Sequence, residues 1–98
     1  MYLLRLKVRI QDEKRNEFEK SMRDLMKEQV KYAGIHPSLY RSTDDNQVFY
    51  YQEEWNSRVK LDKHIVSEQF RVLMGCIKAL GVIEQSEILH TGNKEELV

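Results

Sequence analysis

The chain has 98 residues, of which 41% are hydrophobic and 33% are charged, a composition typical of one folded domain and not of a disordered or membrane-embedded protein. Basic and acidic residues number 16 each, so the chain lacks the net positive charge on which nucleic-acid binding depends. The single cysteine, Cys76, excludes an internal disulfide and favours a reducing compartment, so we expect a cytoplasmic protein.

Residues 2–10 alternate between apolar and charged side chains, which predicts a β-strand with one buried face. The apolar set is Leu4, Leu6, Val8 and Ile10, and the cationic set is Arg5, Lys7 and Arg9. These cations also interrupt any signal-peptide core. No apolar run in the chain approaches the length of a membrane span, so we expect no membrane partner.

The next segment predicts an amphipathic helix, because its apolar residues recur at steps of three and four. Asp12 is a candidate cap for its start, and Gly34 is well placed to end it. The predicted buried stripe is Phe18, Met22, Leu25, Met26, Val30 and Ala33.

Two strands follow, separated by turn-forming residues. Residues 36–43 read as a weak strand, 44–47 as a turn, and 48–55 as an aromatic strand that ends at Trp55. The pattern therefore predicts a hairpin leading into the second half of the chain.

A second helix is predicted to begin after Ser57, a good N-cap, and to be broken near Ser67, itself a second cap. Its later stripe is Phe70, Leu73, Met74, Ile77 and Leu80. Gly75 lowers helix propensity by about 1 kcal/mol relative to alanine, so we expect it to relieve crowding against a strand or ligand. Gly81 ends the helix, 82–91 reads as a strand, and 91–98 as a polar C-terminal tail.

The order strand–helix–strand–strand–helix–strand predicts an α+β, ferredoxin-like βαββαβ fold, with a four-stranded antiparallel sheet and two helices on one face. The other face would carry the cations of the first strand, with Tyr50 and Tyr51 nearby. Candidate acidic partners for those cations are Glu53, Glu54, Glu84 and Glu87. We interpret this face as the contact between two copies of the sheet in a homodimer, the alternative being a monomer with one solvated face.

The run DDNQVFYYQEEWNSRVKLDKHIVSEQF, residues 44–70, resembles the antibiotic biosynthesis monooxygenase (ABM) domain family. The residues that carry the resemblance are Asp44, Asp45, Phe49, Glu53, Trp55, Leu61, His64, Ser67 and Phe70. The resemblance implies a single domain spanning residues 1–98, a dimeric α+β barrel, and a pocket between sheet and helices near Trp55 and His64. The family includes oxygenases, haem-degrading enzymes and members with no assigned reaction.

His64 is the candidate catalytic residue, because an imidazole that titrates near neutrality can accept a proton from a phenol or quinol. The structural alternative is a packed histidine that hydrogen-bonds within the protein. The candidate substrate-binding residues are Trp55, Asn56, Arg58, Phe70, Tyr51 and Met74. Trp55 and Phe70 would wall the pocket and Asn56 or Arg58 would hold a substrate oxygen, whereas Tyr51 and Met74 could equally be strand and helix packing.

Two functions remain open from the sequence. The first is a cofactor-independent monooxygenase that acts on a small aromatic molecule of the quinol or phenol type. The second is a non-catalytic homodimeric module of the same fold that binds a small molecule or serves a stress response. We expect no metal, because the three histidines lie on different predicted elements, and the sequence carries no flavin or nicotinamide fingerprint. Haem is disfavoured, because residues 71–75, where haem-degrading relatives usually carry a ligating histidine, contain none.

Overall fold

The computed structural model of the chain describes residues 1–33, 35–91 and 93–97, and these form an antiparallel sheet with helices packed on one side. The strands are β1 (Tyr2–Arg9), β2 (Ser38–Arg41), β3 (Val48–Trp55), β4 (Val82–His90) and β5 (Asn93–Glu96). The helices are α1 (Arg15–Ala33), α2 (Arg58–Ile65) and α3 (Glu68–Leu80), with a short 3-10 helix (Asp12–Lys14) before α1. The predicted α+β, ferredoxin-like arrangement is confirmed.

The sheet has the strand order β2-β3-β1-β4-β5, so β1 is the central strand. One of its faces packs against the helices and the other belongs to the opposite side of the sheet. Its alternate residues Leu4, Leu6 and Val8 are fully buried beneath the helices. In the register of the sheet, Leu4 lies opposite Glu53 of β3 and Ile88 of β4. Residues at paired positions share a face, so Glu53 lies on the helix-covered side of the sheet.

The sheet has five strands where the sequence predicts four. The segment expected to be a polar C-terminal tail contains β5, which pairs antiparallel with β4 from Glu87↔Glu96 to His90↔Asn93. All four residues of β5 are exposed, so burial of side chains does not stabilise this strand. Backbone hydrogen bonds to the edge of β4 form it instead. Gly92 and Val98 of the predicted tail lie outside the described residues.

Two details of α1 differ from the prediction. Asp12 does not cap it; this residue opens the 3-10 helix, and its carboxylate accepts a hydrogen bond from Arg15 at 2.6 Å. Val30 was expected in the buried stripe but is 37% exposed, whereas Gln29 is fully buried. Gln29 lies seven residues, or about two helical turns, after Met22 and therefore on the same face of α1. That face is the one that packs against the core, so the polar side chain of Gln29 is buried with it. Gly34, the predicted end of the helix, lies outside the described residues.

The break between α2 and α3 at Ser67 is confirmed. Ser57 caps α2 by accepting a hydrogen bond from the Lys60 amide at 3.3 Å, and Ser67 caps α3 through the Phe70 amide at 3.2 Å. The Ser67 hydroxyl also donates to the His64 carbonyl at 2.7 Å. One serine therefore bonds both the last turn of α2 and the first turn of α3. These two hydrogen bonds hold the end of α2, which carries His64, in a fixed position relative to α3.

We call the sheet face opposite the helices the open face. Its cations are paired within the chain: Arg5 with Glu87 at 2.5 Å, Arg9 with Glu84 at 2.9 Å, and Lys7 with Glu84 at 4.0 Å. Burial opposes ionisation of Glu87, but hydrogen bonds from Arg5 and Lys94 outweigh it and lower the pKa of that carboxyl.

The acidic partners proposed for this face are thus partly right and partly wrong. Glu84 and Glu87 fulfil that role. Glu53 and Tyr51 do not belong to the open face, because they point toward the helices. The cations therefore need no second sheet to neutralise them.

The two glycines of the α3 region have different surroundings. A Cβ atom at Gly75 would meet no atom within 4 Å, so the expectation that Gly75 relieves crowding is wrong for this chain on its own. A Cβ at Gly81 would collide with the Ile10 side chain and the Arg9 carbonyl oxygen. Gly81 is thus required where the chain crosses closely over the end of β1. Across the described residues, no helix is both long and apolar enough to cross a bilayer.

Candidate functional site

The candidate site is built around a buried carboxylate on β3. Glu53 is 1% exposed, and three donors converge on it. The Tyr51 hydroxyl donates to Oε2, and the Trp55 indole Nε1 donates to Oε1 at 3.0 Å. Nε2 of His64 lies 3.0 Å from Oε1 and 3.1 Å from Oε2. A carboxylate that only accepts satisfies all three, as an ionised glutamate does.

Strand geometry brings three of these residues together. Tyr51, Glu53 and Trp55 alternate along β3 and so project to the same side of the sheet. His64 reaches them from α2, where it shares a buried face with Leu61 one turn earlier. The four side chains therefore form one polar network inside an otherwise apolar core.

The network fixes the state of the imidazole. An ionised carboxylate accepts hydrogen bonds and cannot donate them, so the Nε2 atom that faces Glu53 carries the hydrogen. In the neutral ring, Nδ1 then keeps the lone pair and is the nitrogen able to accept a proton. Burial, then the charge of Glu53 and the hydrogen bond to it, raise the pKa of Tyr51 far above its ordinary value. Tyr51 is consequently a permanent donor to Glu53.

Two aromatic rings pack against His64. The Trp55 ring centroid lies 4.8 Å from that of His64, and the Phe70 centroid lies 5.0 Å from it, both in tilted arrangements. These contacts restrict rotation of the imidazole, which is buried. The structure therefore brings Trp55, His64 and Phe70 together, but Phe70, predicted as a wall of the pocket, packs against the imidazole and is not among the residues that line the cavity beside it.

A cavity of about 280 Å³ opens beside this cluster. Its lining residues are Tyr32, Ala33, Trp55, Lys60, Lys63, His64, Ser67 and Gln69. We call it the His64 cavity. Its described lining residues include two lysines and no carboxylate, so a bound anion would be stabilised there.

The other predicted site residues lie elsewhere. Arg58 is engaged by Asp62 at 2.9 Å and, through two nitrogens, by Glu95 of β5 at 2.7 and 3.0 Å. Asn56 lines a neighbouring cavity that shares Trp55 and Lys60 with the His64 cavity. Neither side chain lines the cavity beside the imidazole.

Tyr51 and Met74 are not cavity-lining residues either. Tyr51 is fully buried and acts through Glu53, and Met74 is partly buried against the core. Met74 does not line the His64 cavity. Within residues 1–33, 35–91 and 93–97, no group of three or more His, Cys, Asp or Glu side chains could hold a metal ion.

Sequence reasoning missed the role of Glu53 and the lysines of the cavity. The alternation of β3 contains the signal for Glu53, because Phe49, Tyr51 and Trp55 fix the buried face and Glu53 falls on it. The lysines carry no such signal: Lys60 and Lys63 read as ordinary exposed positions of a helix. They line a cavity only because the fold places Tyr32 and Ala33, at the end of α1, across it from α2.

Comparisons with known proteins agree with this fold. A family model described as antibiotic biosynthesis monooxygenase matches residues 1–75. No curated protein matches the sequence. A Bacteroides thetaiotaomicron protein of unknown function, described as a possible oxidoreductase, superimposes with a TM-score of 0.78 at 21% identity, covering 92% of this chain and 96% of its own.

Two further solved structures carry more specific descriptions. SnoaB from Streptomyces nogalater, a cofactor-independent oxygenase crystallised as a variant, gives a TM-score of 0.78 at 13% identity, covering 94% of this chain and 93% of its own. A structure described as antibiotic biosynthesis monooxygenase gives a TM-score of 0.71 at 22% identity, covering 100% and 99%. At these identities the likenesses establish the fold.

Proposed function

Because the chain belongs to the antibiotic biosynthesis monooxygenase family, we propose that it is a cofactor-independent monooxygenase of a small aromatic substrate of the quinol or phenol type. In this proposal His64 accepts the proton of a substrate hydroxyl. Trp55 walls the cavity, Phe70 supports the imidazole, and Glu53 is a positioning residue that acts through His64. The proposed setting is the cytoplasm, in keeping with the lone cysteine.

The observation that carries the proposal is the placement of His64 between a buried carboxylate and a cavity. A general base needs its lone pair directed toward substrate and its other nitrogen held by an acceptor. The cavity volume of about 280 Å³ lies at the small end for ligand sites, which favours a substrate of one or two rings.

The proposed reaction balances without an external reductant. A quinol gives one proton to His64 and one electron to O₂, which leaves a semiquinone and superoxide. These combine through a new C–O bond at a ring carbon that bears hydrogen, and the proton returned by His64 converts the peroxide anion into a hydroperoxide. That carbon then loses its hydrogen as a proton, the C–H electron pair forms the new C=O bond as the O–O bond breaks, and the outer oxygen leaves as hydroxide, which takes up the proton to give water. One oxygen atom enters the product, a hydroxylated quinone, the other enters water, and all four electrons come from the substrate.

Lys60 and Lys63 favour the anionic form of the substrate in this scheme. Both line the cavity, and the described part of the chain offers neither an ion-pair partner. A phenolate formed beside two ammonium groups, in a site partly shielded from water, is stabilised relative to the neutral phenol. Electron transfer to O₂ is easier from that anion than from the phenol.

Oxygen uptake tests the proposal. We expect wild-type protein to consume O₂ with at least one member of a panel of benzoquinols, naphthoquinols and anthrones. His64→Ala should lower that rate by about 100-fold or more, the usual contribution of a general base. His90→Asn is the matched control: His90 stacks on Tyr2 outside the site and its replacement should leave the rate unchanged. Absence of uptake across the panel, or equal rates in wild type and His64→Ala, would reject this function.

A second candidate function is favoured by the same hydrogen bond. Because His64 is satisfied within the protein by Glu53, the network is also what a non-catalytic, small-molecule-binding module would use to stabilise its core. Such a module would bind aromatic ligands, as seen in a thermal-shift screen, with no oxygen uptake from any of them.

The proposed assembly is a homodimer formed through the open face. Neutralised ion pairs alternate there with apolar and aromatic side chains, among them Tyr40, which is 56% exposed, and Val82, which is 62% exposed. A mixed surface of this kind suits a two-fold contact, in which each patch meets its own copy.

A further inference from the structure

A second recess of the molecule lies away from His64. It is a groove of about 710 Å³ between α1 and the edge strand β2. Its lining residues are Glu19, Arg23, Met26, Lys27, Val30, His36, Pro37, Leu39, Arg41 and Phe49. We call it the α1–β2 groove. Phe49, which is buried, lies deepest among these residues, with Met26 and Leu39 half-buried beside it.

This groove is separate from the His64 cavity. Among the described residues, the two share no lining residue. Phe49, at the floor of the groove, lies near the start of β3, and Trp55, in the His64 cavity, lies at its end, roughly 20 Å away along an extended strand. The cavity lined by Asn56 lies between the two sites and shares His36 with the groove. A ligand seated on Phe49 would therefore leave His64 uncovered.

Three cations line the groove. Arg23 and Lys27, one turn apart on α1, face Arg41 of β2 across the opening. Over the ranges that the structure describes, none of the three has a carboxylate within 4 Å, although Glu19 also lines the groove. By contrast, Arg5, Arg9, Arg15 and Arg58 are all paired within the chain.

We propose that the α1–β2 groove binds a small amphipathic organic anion, an aryl or alkyl carboxylate. The apolar part would lie on Phe49, Met26 and Leu39, where its burial favours binding. The carboxylate would lie at the rim, where a guanidinium offers two parallel N–H donors. Cations on opposite walls repel one another when the groove is empty, and an anion between them removes that repulsion.

The test uses 2-naphthoate and its neutral counterpart 2-naphthamide, which share the same ring system and differ in charge. Calorimetry on the full chain should give at least tenfold tighter binding of the naphthoate. Backbone amide NMR should place the shift changes at residues of the groove, such as Phe49 and Leu39, and leave His64 unmoved.

Variants distinguish the cations at the rim of the groove from exposed cations elsewhere on the molecule. Arg41→Gln and, independently, Arg23→Gln should each weaken naphthoate binding at least fivefold and leave naphthamide binding unchanged. Arg23 lies on an exposed part of α1, so its variant remains informative if Arg41→Gln fails to fold. Arg71→Gln, which removes an exposed cation of α3 outside the groove, is the matched control and should bind as wild type.

Three results would overturn the proposal: equal affinity for naphthoate and naphthamide, equal loss of binding in Arg71→Gln and Arg41→Gln, or shift changes centred on the His64 cavity. None depends on oxygen uptake, so this proposal and the proposed function can fail separately.

Discussion

Glu53 is a charge buried among apolar side chains, and its energetic balance explains the arrangement around it. Desolvating a carboxylate costs several kcal/mol. Hydrogen bonds to a charged group contribute about 1.5–3 kcal/mol each, and Glu53 receives them from Tyr51, Trp55 and His64. The three donors thus offset the burial, and removing any one of them leaves the charge underpaired. A single residue in this way determines the orientation of the imidazole.

The buried hydroxyl of Tyr51 should make the stability of the protein depend on pH above about pH 10. Its pKa is raised in the folded state, so the folded protein keeps a proton that the unfolded chain releases above about pH 10. The stabilisation from Tyr51 is therefore complete below that pH and is lost as the pH rises, by about 1.4 kcal/mol per pH unit. Tyr51→Phe should be less stable near neutrality but should show a shallower alkaline decline in urea unfolding between pH 9 and about 11.

Tyr40→Phe provides the comparison, because Tyr40 is 56% exposed on the open face and its ring does not enter the network. It should reproduce the wild-type alkaline slope. If the Tyr51→Phe and wild-type slopes coincide, Tyr51 does not hold its proton in the folded state.

At the scale of elements, replacing each of the two glycines of the α3 region by alanine should change the free energy of unfolding in opposite directions. Gly75→Ala adds a methyl group into open space within a helix, so it should raise the free energy of unfolding by about 0.5–1 kcal/mol. Gly81→Ala forces a methyl group against the backbone of β1 and should lower it by about 1–3 kcal/mol. Chemical denaturation of both variants measures the two signs. A destabilising Gly75→Ala would mean that something covers α3 in solution.

The elements that the sequence predicts well are those governed by periodic side chains and local caps. Alternation defines β1, and the serines at 57 and 67 define where α2 and α3 begin. Asp12 misleads, because this capping type of residue is here the first residue of a 3-10 helix, and its carboxylate accepts a hydrogen bond from Arg15. β5 has no apolar alternation at all, since only the free edge of β4 makes it a strand.

The candidate site was only half predictable for a related reason. His64, Trp55 and Phe70 stand out as residue types in a recognisable run, and the fold does bring them together. Arg58 and Asn56 follow the same run, but the side-chain direction at the start of α2 and the presence of Glu95 on β5 take Arg58 to another partner. Contacts between residues far apart in sequence are absent from a local pattern.

At the scale of the whole molecule, the open face carries the proposed assembly. We expect a particle of twice 11.8 kDa by light scattering coupled to size exclusion. Tyr50→Lys should give a monomer, because it adds a further cation directly opposite Lys7 and beside Arg5 at the centre of this face. Val72→Glu, on an exposed position of α3, should remain dimeric. A monomeric wild type would contradict the proposed dimer. It would not affect the network around Glu53, which lies within one chain.

Proton transfer from substrate to His64 is the central step of the proposed function, and an anaerobic absorption spectrum tests that step alone. 1,4-Dihydroxynaphthalene would be added to the protein without O₂, at a pH well below that at which the free quinol ionises. We predict the red-shifted spectrum of the quinol anion when it is bound to wild type, and that of the neutral quinol when it is bound to His64→Ala. A neutral spectrum on wild type, or the same shift in both proteins, would contradict the assignment of His64 as the base.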